Sequence, residues 1–146
     1  MNEAVADARV ARIVALFEAL APADIARLPA FYAADARFKD PFNDVRGVAE
    51  VQRVFAHMFT ALNEPRFKVH TTLVQGDQCF LTWDFLFRFK RGNPALQTVH
   101  GGSHLVLDTP GLITLHRDYW DAAEELYEKL PLVGSLMRWL KRRANA

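Results

Sequence analysis

Apolar residues recur at three- and four-residue steps through Val10, Ile13, Val14, Phe17 and Leu20, which predicts an amphipathic first helix. Pro22 and Asp24 end it and start a second helix, with Ile25, Leu28, Phe31 and Tyr32 on one face and a kink at Pro29. A short strand, Arg37-Phe38-Lys39, leads into Asp40-Pro41-Phe42-Asn43-Asp44, which reads as a loop by its turn chemistry. After Gly47 a third helix buries Val51, Val54, Phe55, Met58, Phe59 and Leu62.

From Arg66 the period shortens to two. Phe67, Val69, Thr71 and Leu73 alternate with polar residues up to a turn at Gly76-Asp77. The run from Cys79 to Lys90 puts Leu81, Trp83, Phe85, Phe87 and Phe89 on one face and Phe80, Thr82, Asp84, Leu86 and Arg88 on the other. Gln97 to Leu107 returns the chain, with a bulge expected at Gly101-Gly102, and a last strand runs from Leu112 to Trp120. Four antiparallel strands in a meander after three helices give an α+β domain with helices on one sheet face. The segment from Ala122 to Arg143 reads as helical, broken near Pro131 and Gly134. It sets Val133, Leu136, Met137 and Leu140 against Arg138, Lys141, Arg142 and Arg143.

Composition narrows the class. The 146 residues are 51% hydrophobic and 24% charged, which suits one folded, soluble domain. Lys and Arg number 18 against 17 Asp and Glu, so no basic field draws in nucleic acid. Cys79 has no partner for a disulfide, no apolar run reaches membrane-spanning length and the N-terminus lacks a signal pattern, so a cytoplasmic protein is expected. Eleven Phe, three Trp and three Tyr are a heavy aromatic load that either packs a core or lines a cavity.

Three stretches together resemble one superfamily. The run from Phe31 through Asp40-Pro41-Phe42 is similar to the helix–strand–loop segment of ketosteroid isomerase-like proteins. Gly76-Asp77 with the Trp83 strand resembles their second long strand. Leu115-His116-Arg117-Asp118-Tyr119-Trp120-Asp121 resembles the last strand of SnoaL-like polyketide cyclases and limonene epoxide hydrolase-like proteins. All belong to the superfamily of nuclear transport factor two, also called cystatin-like. The resemblance covers roughly residues 8 to 121 of a single SnoaL-like domain spanning 1 to 146, and leaves residues 122 to 146 as a helical extension. It implies a cone: a curved antiparallel sheet wrapped around the N-terminal helices, with a mostly apolar pocket inside. It also implies a homodimer through the outer sheet face, where Phe80, Leu86, Ile113 and Leu115 would otherwise leave apolar surface in water.

The resemblance makes Asp40 a candidate base, because the matching Asp of ketosteroid isomerase shuttles a proton between substrate carbons. The bland alternative is that Asp40 ties down its own Asp-Pro turn. The isomerase's remaining donors are missing: family spacing lands on Leu16 where a Tyr is needed and on Ser103 where an acid is needed. The Arg and Asp of the epoxide hydrolases are replaced on the Trp83 strand by Phe85 and Phe87. His116, Asp118 and Trp120 share one face of the last strand, the first two about 6–7 Å apart along it, near enough to share a substrate or a water. The alternatives are a polar pair at a wet cavity mouth, Asp118 bridging Arg117 or Arg37, or a reversed strand that turns Arg117, Tyr119 and Asp121 inward.

The expected catalytic set is therefore Asp40, His116 and Asp118. The expected ligand wall is Tyr32, Phe55, Phe59, Trp83, Phe85, Phe87, Ser103 and Trp120, together with Phe38. An aromatic wall with few polar groups suits a flat or terpenoid apolar ligand. No metal or other cofactor is expected: His100 and His104 share a face but lie about 13 Å apart, and no phosphate-binding glycine loop is present. Cys79 opens a strand with no His nearby in sequence, which makes a poor nucleophile. For the basic C-terminal helix, a lid over the cone mouth or a clasp on a dimer partner is favoured over a membrane contact. Two functions follow: acid/base chemistry of the isomerase, cyclase or hydrolase kind on a small apolar molecule, or a non-catalytic carrier or interaction module.

Overall fold

The computed structural model describes residues 6–125 and 131–144. Helix α1 (Ala8–Ala19) starts at Asp7, whose side chain accepts from Arg9 N at 2.9 Å, and it buries Val10, Ile13, Val14, Leu16 and Phe17. The next segment, Pro22–Ala30, is a 3₁₀ helix ended at Phe31. It is not an α-helix carrying Tyr32. Pro29 removes a backbone donor and Asp24 closes the first turn on Ala21 N, so the tighter coil takes the place of a kinked α-helix. Strand β1 (Tyr32–Lys39) then begins at Tyr32, five residues before the short strand expected. After the Asp40 loop comes β2 (Asp44–Arg46), which the sequence pattern does not announce. Gly47, at φ 98°, starts α2 (Val48–Ala61), which buries Val51 and Phe55.

The chain continues through β3 (Leu62–Gln75), β4 (Gln78–Phe89), β5 (Gln97–Leu107) and β6 (Ile113–Tyr119). The sheet has six strands in the order β2-β1-β6-β5-β4-β3. It is not purely antiparallel, because β1 pairs parallel with β6, bringing Phe38 beside His116. Local periodicity says nothing of this pairing, since its two strands lie far apart in the chain.

Two phase errors in the sequence pattern have one kind of cause. A register shift between Val69 and Thr71 leaves His70 extra, so Thr72 turns inward while Leu73, opposite Phe80, is 61% exposed on the outer face. A second shift, between Val106 and Leu107, turns Ile113 into the core at 0% exposure, where an outer-face position was expected. Conversely, the bulge expected at Gly101-Gly102 is absent. Pairing of β4 with β5 runs unbroken, and the glycines serve close packing: a Cβ on Gly101 would sit 2.5–3.0 Å from ring atoms of Trp83.

The concave face of the sheet closes on α1 and α2 around a core that includes Val10, Ile13, Leu28, Val51, Leu81, Leu105 and Ile113. Beyond β6 lie α3 (Ala122–Glu125) and α4 (Pro131–Ala144). Gly134 lies inside α4 and does not break it. Leu136 and Leu140, expected to close the cone mouth, are 51% and 46% exposed, and Trp139 is 48% exposed beneath Arg143. Phe42 packs edge-on against Trp120, and both rings line the cavity. The side chains of Val133 and Met137 lie outside the described residues.

Candidate functional site

The alternation of β6 turns His116 and Asp118 into the cone and leaves Arg117 and Tyr119 exposed. Neighbouring strands then supply partners by register alone. Ser103 of β5 lies opposite Asp118, Trp83 of β4 lies opposite Gly101, and Phe38 of β1 lies opposite His116. Because Gly101 has no side chain, the Trp83 ring lies across it and reaches Ser103, Nε1 to Oγ at 2.9 Å.

A continuous hydrogen-bonded chain results, running Tyr32–His116–Asp118–Ser103–Trp83. Tyr32 Oη is 2.7 Å from His116 Nδ1, His116 Nε2 is 2.7 Å from Asp118 Oδ1, and Ser103 Oγ donates to the same Oδ1. Its proton positions follow from satisfaction of each group. Burial pushes the Tyr32 hydroxyl well above its ordinary pKa, with the Asp118 charge adding to the effect, so Tyr32 keeps its proton. That proton has His116 Nδ1 as its acceptor, which assigns the ring hydrogen to Nε2, donating to Asp118. Rings of Phe38, Phe17, Tyr32 and Phe55 surround the imidazole, with centroids 4.7 to 6.4 Å away, and hold it in place. Asp118 thus presents one fully occupied oxygen, while Oδ2 accepts no hydrogen bond from the described residues.

That carboxylate borders a cavity of about 310 Å³ walled by seven phenylalanines and two tryptophans. Phe67, Phe85 and Phe87 form a run of tilted stacks with centroids 4.7 and 5.3 Å apart. A recess of about 20 Å³ reaches Ser103 and His116. On the outside a groove bordered by Lys39, Asp40, Arg117, Asp118 and Trp120 opens on solvent. Of the wall expected from sequence, Phe55, Trp83, Phe85, Phe87 and Trp120 line the main cavity, and Phe38 does too. Phe59 packs against the core instead, and Tyr32 stands behind His116 with 1% exposure.

Asp40 borders the same cavity as Asp118. Its Oδ1 accepts from Phe42 N at 2.8 Å, Asn43 N at 2.6 Å and Asn43 Nδ2 at 3.0 Å, so it also organises its own loop. Arg37 pairs with Asp44 rather than Asp118. Cys79 is buried, which pushes its thiol up to about 11 and leaves no thiolate for attack. Among the described residues no cluster of three or more His, Cys, Asp or Glu is arranged to hold a metal.

A curved, unclosed sheet around two helices, with polar groups of the last strand facing an aromatic interior, defines a protein of the nuclear transport factor two-like class. The SnoaL-like domain model matches residues 13–116, so the chain belongs to the SnoaL-like family. Solved structures agree at the level of fold. One is a ketosteroid isomerase-like protein from Catenulispora acidiphila in complex with trimethylamine, with 18% identity and a TM-score of 0.71, covering 84% of this chain and 92% of that one. Another is a SnoaL-like polyketide cyclase homologue from Jannaschia, at 14% identity, TM-score 0.69 and coverages of 80% and 87%. A third is a limonene epoxide hydrolase-like enzyme of M. tuberculosis, at 19% identity, TM-score 0.68 and coverages of 91% and 96%. No curated protein matches the sequence.

The period of two pairs His116 with Asp118 in the sequence, but nothing local links that pair to Ser103 or Tyr32. Gly101 and the indole of Trp83 support the hydrogen-bonded chain from the neighbouring strands without a local sign. The available signal was a lone Ser between Gly101 and Leu105 on an apolar strand face.

Proposed function

We propose that this protein binds a small molecule of largely apolar surface in the ring-walled cavity and moves a proton on it. Asp118 Oδ2 is the atom that accepts and returns the proton, and His116 and Ser103 hold the carboxylate in place. The observation that carries this reading is the asymmetry of Asp118: Oδ1 takes two donors and Oδ2 none from the described residues, on a residue that borders the cavity. A carboxylate held in place by its partners beside a mostly apolar cavity suits proton transfer from carbon. Asp40 is the second carboxylate of the same cavity and is proposed to act with Asp118.

A non-catalytic carrier is the second reading. It is favoured by the absence, among the described residues, of a tyrosine hydroxyl or a lysine on the cavity wall to stabilise a developing oxyanion. A thermal-shift screen of steroids, polyketide-like aromatics and terpene epoxides, run on wild type, Asp118→Asn and Asp40→Asn, separates the two. A ligand at a hundredfold its Kd adds about 2.7 kcal/mol of stability. Conversion of a hit by wild type but not by Asp118→Asn supports catalysis. Binding without conversion by either supports the carrier. No hit in this neutral set, together with no binding of a cationic probe, refutes the pocket as a ligand site.

We also propose a homodimer through the outer sheet face, where Phe80, Leu86 and Leu115 are half-buried and Leu73 is exposed. A monomeric mass by light scattering would exclude it.

A further inference from the structure

Two carboxylates, Asp40 and Asp118, line the cavity, with His57 as the imidazole of its wall. Asp118 Oδ1 accepts from Ser103 and pairs with His116, and Oδ2 accepts from none of the described residues. Asp118 is only 13% exposed. Asp40 adds a second carboxylate to the same wall, and among the described residues no Lys or Arg lines the cavity. Lys39 and Arg117 border the outer groove, which Asp40 and Asp118 also reach.

A half-buried carboxylate facing an apolar space is costly unless a partner reaches it. The rest of the wall suits one kind of partner. Aromatic faces are the negative ends of ring quadrupoles, and they attract a cation within about 6 Å of the ring centre, most strongly at Trp. Trp83, Trp120 and the Phe67–Phe85–Phe87 run surround this cavity. A neutral ligand would satisfy the rings and leave Asp118 Oδ2 without a partner. An anion would be repelled by both the carboxylates and the rings. A cation satisfies both.

We propose that the cavity selects a small organic ammonium ion: a single cationic nitrogen set against Asp118 Oδ2, carrying an apolar body that packs on Phe85 and Phe87. This rests on the cavity being a ligand site, as proposed above, and does not depend on turnover.

The test compares two probes of one shape that differ in charge, choline and 3,3-dimethylbutan-1-ol, titrated into the full chain by calorimetry or amide NMR. Choline is expected to bind about tenfold tighter than the alcohol, a preference that Asp118→Asn abolishes and that Phe85→Leu, which keeps the bulk but removes the ring face, reduces. The Phe85→Leu variant keeps the test alive if Asp118→Asn does not fold. Equal binding of the two probes, or tighter binding of the alcohol, overturns the ammonium assignment and leaves the pocket reading standing. A choline preference unchanged in a folded Asp118→Asn overturns the carboxylate as its source. If neither probe binds while neutral aromatics from the screen do, the ammonium proposal fails alone; if nothing binds, both fail.

Discussion

Tyr32 shows how much a single hydroxyl sets here. It lies at the first residue of β1, 1% exposed, and its proton satisfies His116 Nδ1. Tyr32→Phe keeps the packing but orphans that nitrogen among phenylalanine rings, and is expected to cost about 1–3 kcal/mol in urea unfolding. It also frees the imidazole to change tautomer, so any activity that depends on Asp118 should shift its pH profile, whereas a purely structural loss would move only stability. Gly101 acts from the other end of the chain. Gly101→Ala puts a Cβ 2.5–3.0 Å from the Trp83 ring, and is expected to cost about 1–3 kcal/mol by thermal unfolding and to detach the indole from Ser103. Wild-type stability in that variant would show that Trp83 has room to move aside.

At the scale of elements, the outer face of the sheet has its own ion cluster. Asp84 of β4 bonds His70, the extra residue of the β3 shift, at 2.8 Å, and also bonds His100, its register partner on β5. Hydrogen bonds from His70 and then His100 hold the Asp84 carboxyl below its ordinary value, against an opposing effect of burial. A depressed carboxyl gives stability that is fully present above its unfolded value near pH 4 and is lost as pH falls through the lower folded value. Asp84→Asn is therefore expected to be less stable than wild type at pH 5, with the gap closing on acidification below about pH 4, as measured by urea midpoints. A constant gap across that range would place the effect outside titration. The same cluster explains why His100 and His104 do not act together: His104 bonds Gln78, two strand positions beyond Phe80.

At the scale of the whole molecule, the fold brings residues from five strands and helix α2 to one cavity. Among the described side chains of α4 none lines that cavity, and Leu136, Trp139 and Leu140 are exposed above a basic run. Removing residues 131–146 is expected to leave the ligand-induced thermal shift of the cavity intact; loss of that shift would make the helix part of the site. No helix of the described residues is long and apolar enough to cross a membrane.

The amino-acid sequence determined on its own what depends on neighbours in the chain. The periods of 3.6 and 2 placed α1, α2 and the long strands, and alternation put His116 beside Asp118 and aligned Trp83, Phe85 and Phe87. The Asp-Pro turn chemistry foretold the loop role that Asp40 fills. Tertiary structure decided what depends on phase and on distant pairing. One extra residue at His70, and another shift before Leu107, reversed the faces of Leu73 and Ile113, because a strand alternates with a period of two and a single insertion inverts everything after it. The parallel pairing of β1 with β6 joined Tyr32 to His116 across 84 residues. Register between β4, β5 and β6 then made Trp83, Ser103 and Asp118 one chain. Neither contact has a local signature, since its strength comes from burial that exists only once the sheet has closed around the helices.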